Sequence, residues 1–188
     1  MLGAGRARTG VSGSKSLRAR DCWHFARDRP SIKLESSLNG VTQMYDTILL
    51  ATDGSKLADA AVAEAGRIGG PGSEVLVVEI VDGTDGKIVA AAPLAVASLR
   101  RTAQEHLDAA EKLLTEVGFE DVRTAVLDGH AGPAIVKAAE ENDCNVIVMA
   151  THGRSGVKRA VLGSVADYVV RHTERIPVLL VHPGAKAA

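Results

Sequence analysis

The segment "THGRSGVKRAVLGS" (residues 151–164) follows an aliphatic run and holds residues that could bind an anion. Gly153 and Gly156 can adopt positive φ, which lets backbone N–H groups converge on one point. Gly163 and Ser164 then open a predicted helix, whose first N–H groups are unpaired and whose dipole is positive at that end. A phosphate there would receive backbone hydrogen bonds and one from the Ser164 hydroxyl. The glycine spacing matches neither GxGxxG nor GxxxxGK[S/T], so a phosphate site and a plain connection both stay open.

A second chemical group follows another aliphatic run, in "ATDGS". The carboxylate of Asp53 would project into the same crevice, where it could meet a ribose hydroxyl or a metal ion on the phosphates. The alternative is a turn or capping aspartate ahead of Ser55. In the glycine-rich segment His152 could donate to phosphate, or be an exposed loop histidine. Arg154 could screen phosphate charge, or belong to a solvated face.

The elements that must position these groups alternate between short aliphatic runs and longer amphipathic stretches. The predicted strands span residues 46–51, 74–81, 122–127, 145–150 and 177–182. The predicted helices span residues 56–68, 93–117 and 133–141, and a fourth follows Gly163 and Ser164. Strands joined by helices pair in parallel, which predicts an α/β doubly wound open sheet with helices on both faces. Ligands of such sheets bind beyond the carboxyl ends of the strands, where both candidate loops lie.

Two details of the helices are predicted from residue types. Ser55 is expected to cap the first helix, and Gly69 to end it. The second helix is expected to bury one apolar stripe. The residues of that stripe are Leu94, Leu99, Ala103, Leu107, Ala110 and Leu114.

Composition limits the class of protein. Aromatic residues make up only 3% of the chain, against 46% hydrophobic residues, so the core must be aliphatic and base stacking on nucleic acid is not expected. The net charge of −1 gives no electrostatic footprint for nucleic acid or an anionic membrane.

Cys22 and Cys144 match no metal spacing and are interpreted as reduced thiols. No apolar run approaches the roughly 18 residues of a membrane span, and no secretory signal is recognisable, so we expect a cytoplasmic protein.

The first 43 residues differ from the rest of the chain in their excess of positive charge. Residues 1–43 hold eight Lys or Arg and three Asp or Glu, and lack helical or strand periodicity. They are predicted to be a disordered extension, with three interpretations open: an artefact of an upstream start codon, a disordered tail, or a transit peptide. Residues 44–183 are predicted to form the domain, and residues 184–188 a flexible tail.

The two candidate loops and their flanking runs carry a family pattern. "YDTILLATDGS" and "VIVMATHGRSGVKRAVLGSVADYVVRHTERIPVLLVH" resemble the universal stress protein family. The nucleotide motif of that family is Gly, two residues, Gly, nine residues, then Gly with Ser or Thr. Gly153, Gly163 and Ser164 match it, and Ala150 stands in place of the first glycine. Alanine is small and lies at a strand end, so backbone access is expected to survive.

The resemblance implies an adenine nucleotide α-hydrolase-like fold, with five parallel strands in the order 3-2-1-4-5, and a homodimer. It implies ATP as ligand, with adenine at the backbone of Ala51 and Ile80 and with Asp53 near the ribose and phosphates. Mg²⁺ would accompany the nucleotide, held mainly by phosphate oxygens and water, with Asp53 as its candidate protein ligand. Together with the reasoning from residue types above, the full set of predicted nucleotide-binding residues is Ala51, Thr52, Asp53, Ile80, Met149, Ala150, Thr151, His152, Gly153, Arg154, Gly156, Gly163, Ser164, Val165 and Ala166.

The last strand, in "IPVLLVH", is the predicted dimer surface. An apolar edge strand invites pairing, and symmetric contact through residues 177–182 of two chains would cover it. Pro177 at the strand start is compatible with an edge position.

The sequence thus predicts a dimeric, ATP-binding regulator of the stress response with unidentified protein partners. No nucleophile, base and orienting group are recognisable together, so no catalytic residue is assigned and a dedicated enzyme is not expected. Two alternatives stay open. One is a dimer that binds partners without nucleotide, and the other is a slow ATP hydrolase of the same fold.

Overall fold

A computed structural model describes residues 44–70, 72–82, 92–151 and 162–182. Strands and helices alternate along the chain. The strands are β1 (Thr47–Ala51), β2 (Glu74–Val81), β3 (Asp121–Asp128), β4 (Val146–Ala150) and β5 (Val178–Val181). The helices are α1 (Lys56–Ile68), α2 (Pro93–Glu116), α3 (Ala131–Glu141) and α4 (Ser164–His172). The predicted extension at residues 1–43 and the tail at residues 184–188 lie outside the described residues.

The five strands form one parallel sheet in the order β3-β2-β1-β4-β5. The predicted fold class and strand order are therefore confirmed. β1 lies at the centre, and the chain runs from it to one edge through β2 and β3 and then to the other through β4 and β5. The direction of winding reverses between β1 and β4, where Ala51 is in register with Met149. A crevice for a ligand forms at such a reversal.

Alternation along the strands divides the core into two layers, because successive side chains point to opposite faces of a sheet. In β1, Ile48 and Leu50 pack with α1 and α2, whereas Leu49 and Ala51 pack with α3 and α4. Helices thus cover both faces, as the pattern predicts.

Helix α1 begins and ends as predicted. The Ser55 hydroxyl accepts a hydrogen bond from the Ala58 N–H (3.4 Å), which satisfies one unpaired donor of the first turn. At the other end, the Gly69 N–H donates to the Ala65 carbonyl (3.0 Å). A Cβ at Gly69 would lie 2.8 Å from Ile48 and Phe119, so this position also needs the space that glycine leaves.

The predicted apolar stripe of α2 is correct over its last three turns and wrong at its start. Ala103, Leu107, Ala110 and Leu114 are buried, but Leu94 and Leu99 are 87% and 50% exposed. Val96 occupies the buried position instead. Each residue turns a helix by about 100°, so Val96 aligns with Ala103 seven residues later while Leu94 points away.

Helix α3 begins at Ala131, two residues earlier than predicted. Pro133 is tolerated there because its missing N–H belongs to the first turn, whose N–H groups have no partner inside the helix. Among the helices of the described ranges, none has both the length and the apolar composition that crossing a bilayer requires.

Candidate functional site

A cleft of about 200 Å³ opens at the carboxyl ends of the central strands. Most of the predicted site residues line it, namely Ala51, Thr52, Asp53, Ile80, Met149, Ala150, Thr151, Gly163, Ser164, Val165 and Ala166. The remaining predicted residues, His152, Gly153, Arg154 and Gly156, lie outside the described residues. The structure therefore brings together the carboxyl ends of β1, β2 and β4 and the start of α4 at one place.

The turn after β1 holds Asp53 at the cleft by local hydrogen bonds. The Ser55 N–H donates to Asp53 Oδ1 (3.0 Å), and the Gly54 N–H donates to Thr52 Oγ1 (3.2 Å). Gly54 has a φ of 70°, a left-handed conformation that favours glycine. The turn interpretation of Asp53 is therefore correct. Since Asp53 also lines the cleft, a ligand role is compatible with the turn.

Thr151 ties the end of β4 to β5 and to the start of α4. Its N–H donates to the Val181 carbonyl of β5 (2.9 Å), and its carbonyl accepts from the Gly163 N–H (2.9 Å). The two ends of the glycine-rich segment are thereby joined at the mouth of the cleft.

The first turn of α4 contributes the backbone donors of the site. Its N-cap is Gly163, which has no side chain to accept from the following N–H groups. Ser164, Val165 and Ala166 line the cleft, and the positive end of the α4 dipole lies there with them. This is the arrangement that suits a phosphate or another anion.

Ala150, which replaces the first glycine of the family motif, lines the cleft at the last position of β4. Within the described ranges, Asp143 is the one non-glycine residue with a positive φ. Ala150 therefore has an ordinary backbone conformation, and its methyl group introduces no backbone strain.

Sequence reasoning missed three residues of the cleft, all on helices: Ala58 of α1, and Ala131 and Ile135 of α3. Apolar helical residues look alike whether they face a core or a ligand. One signal lay in Gly132, which follows Ala131. A Cβ there would lie 2.6 Å from the Tyr168 ring of α4, so glycine sets the close approach of two helices that both line the cleft.

The cleft has an apolar part and a polar part. Ile80, Ile135 and Met149 supply large apolar side chains, as a pocket for a flat aromatic ring requires. Asp53 supplies a carboxylate, and the α4 terminus supplies N–H donors. Within the described part of the chain, no three His, Cys, Asp or Glu side chains are grouped to hold a metal ion.

Comparison with known proteins identifies the family of the chain. The model of the universal stress protein family matches residues 44–182. The universal stress protein MJ0531 of Methanocaldococcus jannaschii is 32% identical over 157 residues, a match that spans 81% of this chain and 91% of that protein.

Solved structures agree with this match. The structure of MJ0577, a universal stress protein of the same organism, superposes with a TM-score of 0.68 at 28% sequence identity. The match covers 76% of this chain and 99% of the MJ0577 chain. A universal stress protein in complex with cAMP is 25% identical with a TM-score of 0.54, over 74% and 98% of the two chains. The family model spans the described fold from its first residue to its last, and the chain belongs to the universal stress protein family.

Proposed function

We propose that the protein binds ATP in this cleft and acts in the stress response as a nucleotide-dependent dimeric regulator. The observation that carries the proposal is the first turn of α4, which opens on the same cleft as Asp53 and the apolar residues. One adenine nucleotide needs all three features. The cAMP complex of a family member supports nucleotide binding in this fold.

Each part of ATP has a suitable partner in the cleft. The adenine ring would lie against Ile80 and Met149, with the backbone of Ala51 and Ile80 at its edge. Asp53 would accept a hydrogen bond from a ribose hydroxyl. The phosphates would receive N–H groups from the first turn of α4 and the Ser164 hydroxyl. The motif residues that precede them, including His152, Gly153, Arg154 and Gly156, stay predictions from the sequence.

Mg²⁺ is proposed to enter with the nucleotide. Asp53 is its candidate protein ligand, and phosphate oxygens and water would complete the coordination. The ion would neutralise phosphate charge. A site of one carboxylate and backbone amides holds a nucleotide better than it activates water, so we propose a binding protein with no dedicated catalysis.

The proposed dimer forms through β5 and its flanks, residues 177–182. β5 is an edge strand of the sheet, and Val178, Leu179 and Leu180 are half-buried within one chain. Pairing with the same strand of a second chain would cover these residues and satisfy the open edge. Nucleotide occupancy would then change the choice of protein partner. A cytoplasmic location stays a prediction from the sequence.

The test starts from the protein as purified. Denatured samples are analysed for released adenine nucleotides, and nucleotide-free protein is titrated with ATP and Mg²⁺ by calorimetry. We expect one ATP per chain and a higher unfolding temperature with ATP, because a ligand that binds only the folded state stabilises it. No released nucleotide, no heat and no thermal shift would contradict ATP binding and favour a nucleotide-independent partner-binding protein. A parallel cAMP titration shows whether a single phosphate is preferred. Multiple-turnover phosphate release that Asp53→Ala abolishes would instead indicate an ATP hydrolase.

A further inference from the structure

The turn that carries Asp53 packs against His106, whose ring is hydrogen-bonded to the buried carboxylate of Glu79. Glu79 of β2 is 4% exposed, and its carboxylate oxygens lie 2.9 and 3.1 Å from Nδ1 of His106 on α2. Neither residue is among those that line the cleft. Any effect of the pair on a ligand must therefore pass through a neighbouring residue.

Glu79 lies on the face of β2 that is opposite to the cleft. Glu79 alternates with Val75 and Val77, which pack on the face covered by α1 and α2. Ile80, the next residue, points to the other face and lines the cleft. The buried carboxylate thus lies directly behind the part of the sheet that faces the proposed adenine.

The imidazole ring of His106 supports the backbone of Gly54. A Cβ built on Gly54 would lie 2.2 to 2.3 Å from three ring atoms of His106, so the ring lies against the Gly54 Cα. The carboxylate of Glu79 holds the ring nitrogen and limits the rotation of the ring. Contacts therefore run from Glu79 to His106, to Gly54, and to the turn in which Asp53 accepts from the Ser55 N–H.

A buried carboxylate with a hydrogen-bonded imidazole is a costly way to fill a core, since burying a charge costs free energy unless the charge is paired and hydrogen-bonded. Its value here lies in geometry. A ring fixed by two carboxylate oxygens gives a flat, rigid surface on which a left-handed glycine can rest.

We propose that Glu79 and His106 are positioning residues, which hold the Gly54 turn so that Asp53 is placed at the cleft before a nucleotide arrives. The inference rests on the proposed ATP binding and adds to it the device that preorganises the ribose-binding carboxylate. A preorganised group loses less conformational freedom on binding, which raises affinity.

The test compares two kinds of α2 variant by calorimetric ATP titration. His106→Gln keeps an N–H donor for Glu79 but removes the ring below Gly54, and His106→Ala removes both. Leu114→Ala is the matched control. Leu114 is fully buried two turns further along α2, so its truncation destabilises the same helix without touching the turn. We expect about tenfold weaker ATP binding for His106→Ala, a ratio that corresponds to about 1.4 kcal/mol and lies near the value of one hydrogen bond to a charged group. Leu114→Ala is expected to lower the unfolding temperature and keep the wild-type affinity.

A second measurement reports the turn itself. The Ser55 amide resonance, recorded by ¹⁵N–¹H NMR without nucleotide, is expected to shift in His106→Gln and to stay in place in Leu114→Ala. If His106→Ala fails to fold, His106→Gln decides, with an expected loss of about fivefold. Affinity within twofold of wild type, or an unmoved Ser55 amide, would overturn the positioning role and leave ATP binding intact. A wild-type protein that binds no ATP would overturn the proposed function and this inference with it.

Discussion

Two substitutions of Asp53 can distinguish its role in the turn from its proposed contact with the nucleotide. Its Oδ1 accepts the Ser55 N–H at 3.0 Å, and Ser55 in turn caps α1 through Ala58. Asp53→Asn keeps an oxygen at this position and removes the charge. Asp53→Ala removes both the charge and the oxygen. The two variants therefore divide the structural role from the proposed contact with the nucleotide.

The expected magnitudes follow from the kinds of hydrogen bond that each variant loses. A hydrogen bond to a charged group contributes roughly 1.5–3 kcal/mol, and a neutral one about half as much. Asp53→Ala should thus weaken ATP binding about tenfold to about a hundredfold, and Asp53→Asn about fourfold to about tenfold. Asp53→Ala should also lower the free energy of unfolding by roughly 1.5–3 kcal/mol, because the Ser55 N–H loses a charged acceptor. Asp53→Asn should lower it by about half as much, because the Ser55 N–H keeps an acceptor that no longer carries a charge.

The assay is calorimetric titration with ATP, with and without Mg²⁺, together with thermal unfolding of each nucleotide-free variant. Wild-type affinity in Asp53→Ala would refute the placement of Asp53 at the nucleotide. Tighter binding by Asp53→Asn in the absence of Mg²⁺ would show that the carboxylate faces the phosphates, which repel it, and not the ribose.

The further predictions concern packing, protonation and assembly. Gly132→Ala places a Cβ 2.6 Å from the Tyr168 ring, so denaturant unfolding should show a loss of about 1–3 kcal/mol, and unchanged stability would mean that α3 and α4 separate freely. Burial raises the pKa of the Cys144 thiol to about 12, although the charge of Arg123 acts in the opposite direction. In a Cys22→Ala background, the native protein should therefore not react with a thiol reagent at about pH 8, and the denatured protein should react. The same shift makes the unfolded chain bind fewer protons than the native one above about pH 9, so this thiol should lower stability progressively from there to about pH 12. Leu180→Lys on the β5 edge should convert a dimer into a monomer in sedimentation velocity experiments, and a wild-type monomer would contradict the proposed interface.

Much of the fold could be predicted because local patterns carry it. Aliphatic runs, the Ser55 cap and the Gly69 stop place the strands and α1 with small errors, since each depends on neighbouring residues alone. Which side of α2 is buried near Leu94 and Leu99 could not be predicted in the same way. Leucines on two sides of a helix start fit more than one stripe, and only packing against the sheet selects Val96.

By itself, the sequence determined the order of elements, the family pattern and the loops that carry Asp53, Gly163 and Ser164, because these follow from periodicity and from motifs within short stretches. Only the tertiary structure decided which side chains meet across elements. Ala58, Ala131 and Ile135 join the cleft, and Glu79 meets His106 across 27 residues of chain. Such pairs depend on how strands align and how helices pack, and an apolar or charged residue has the same local pattern whether it meets a partner or not.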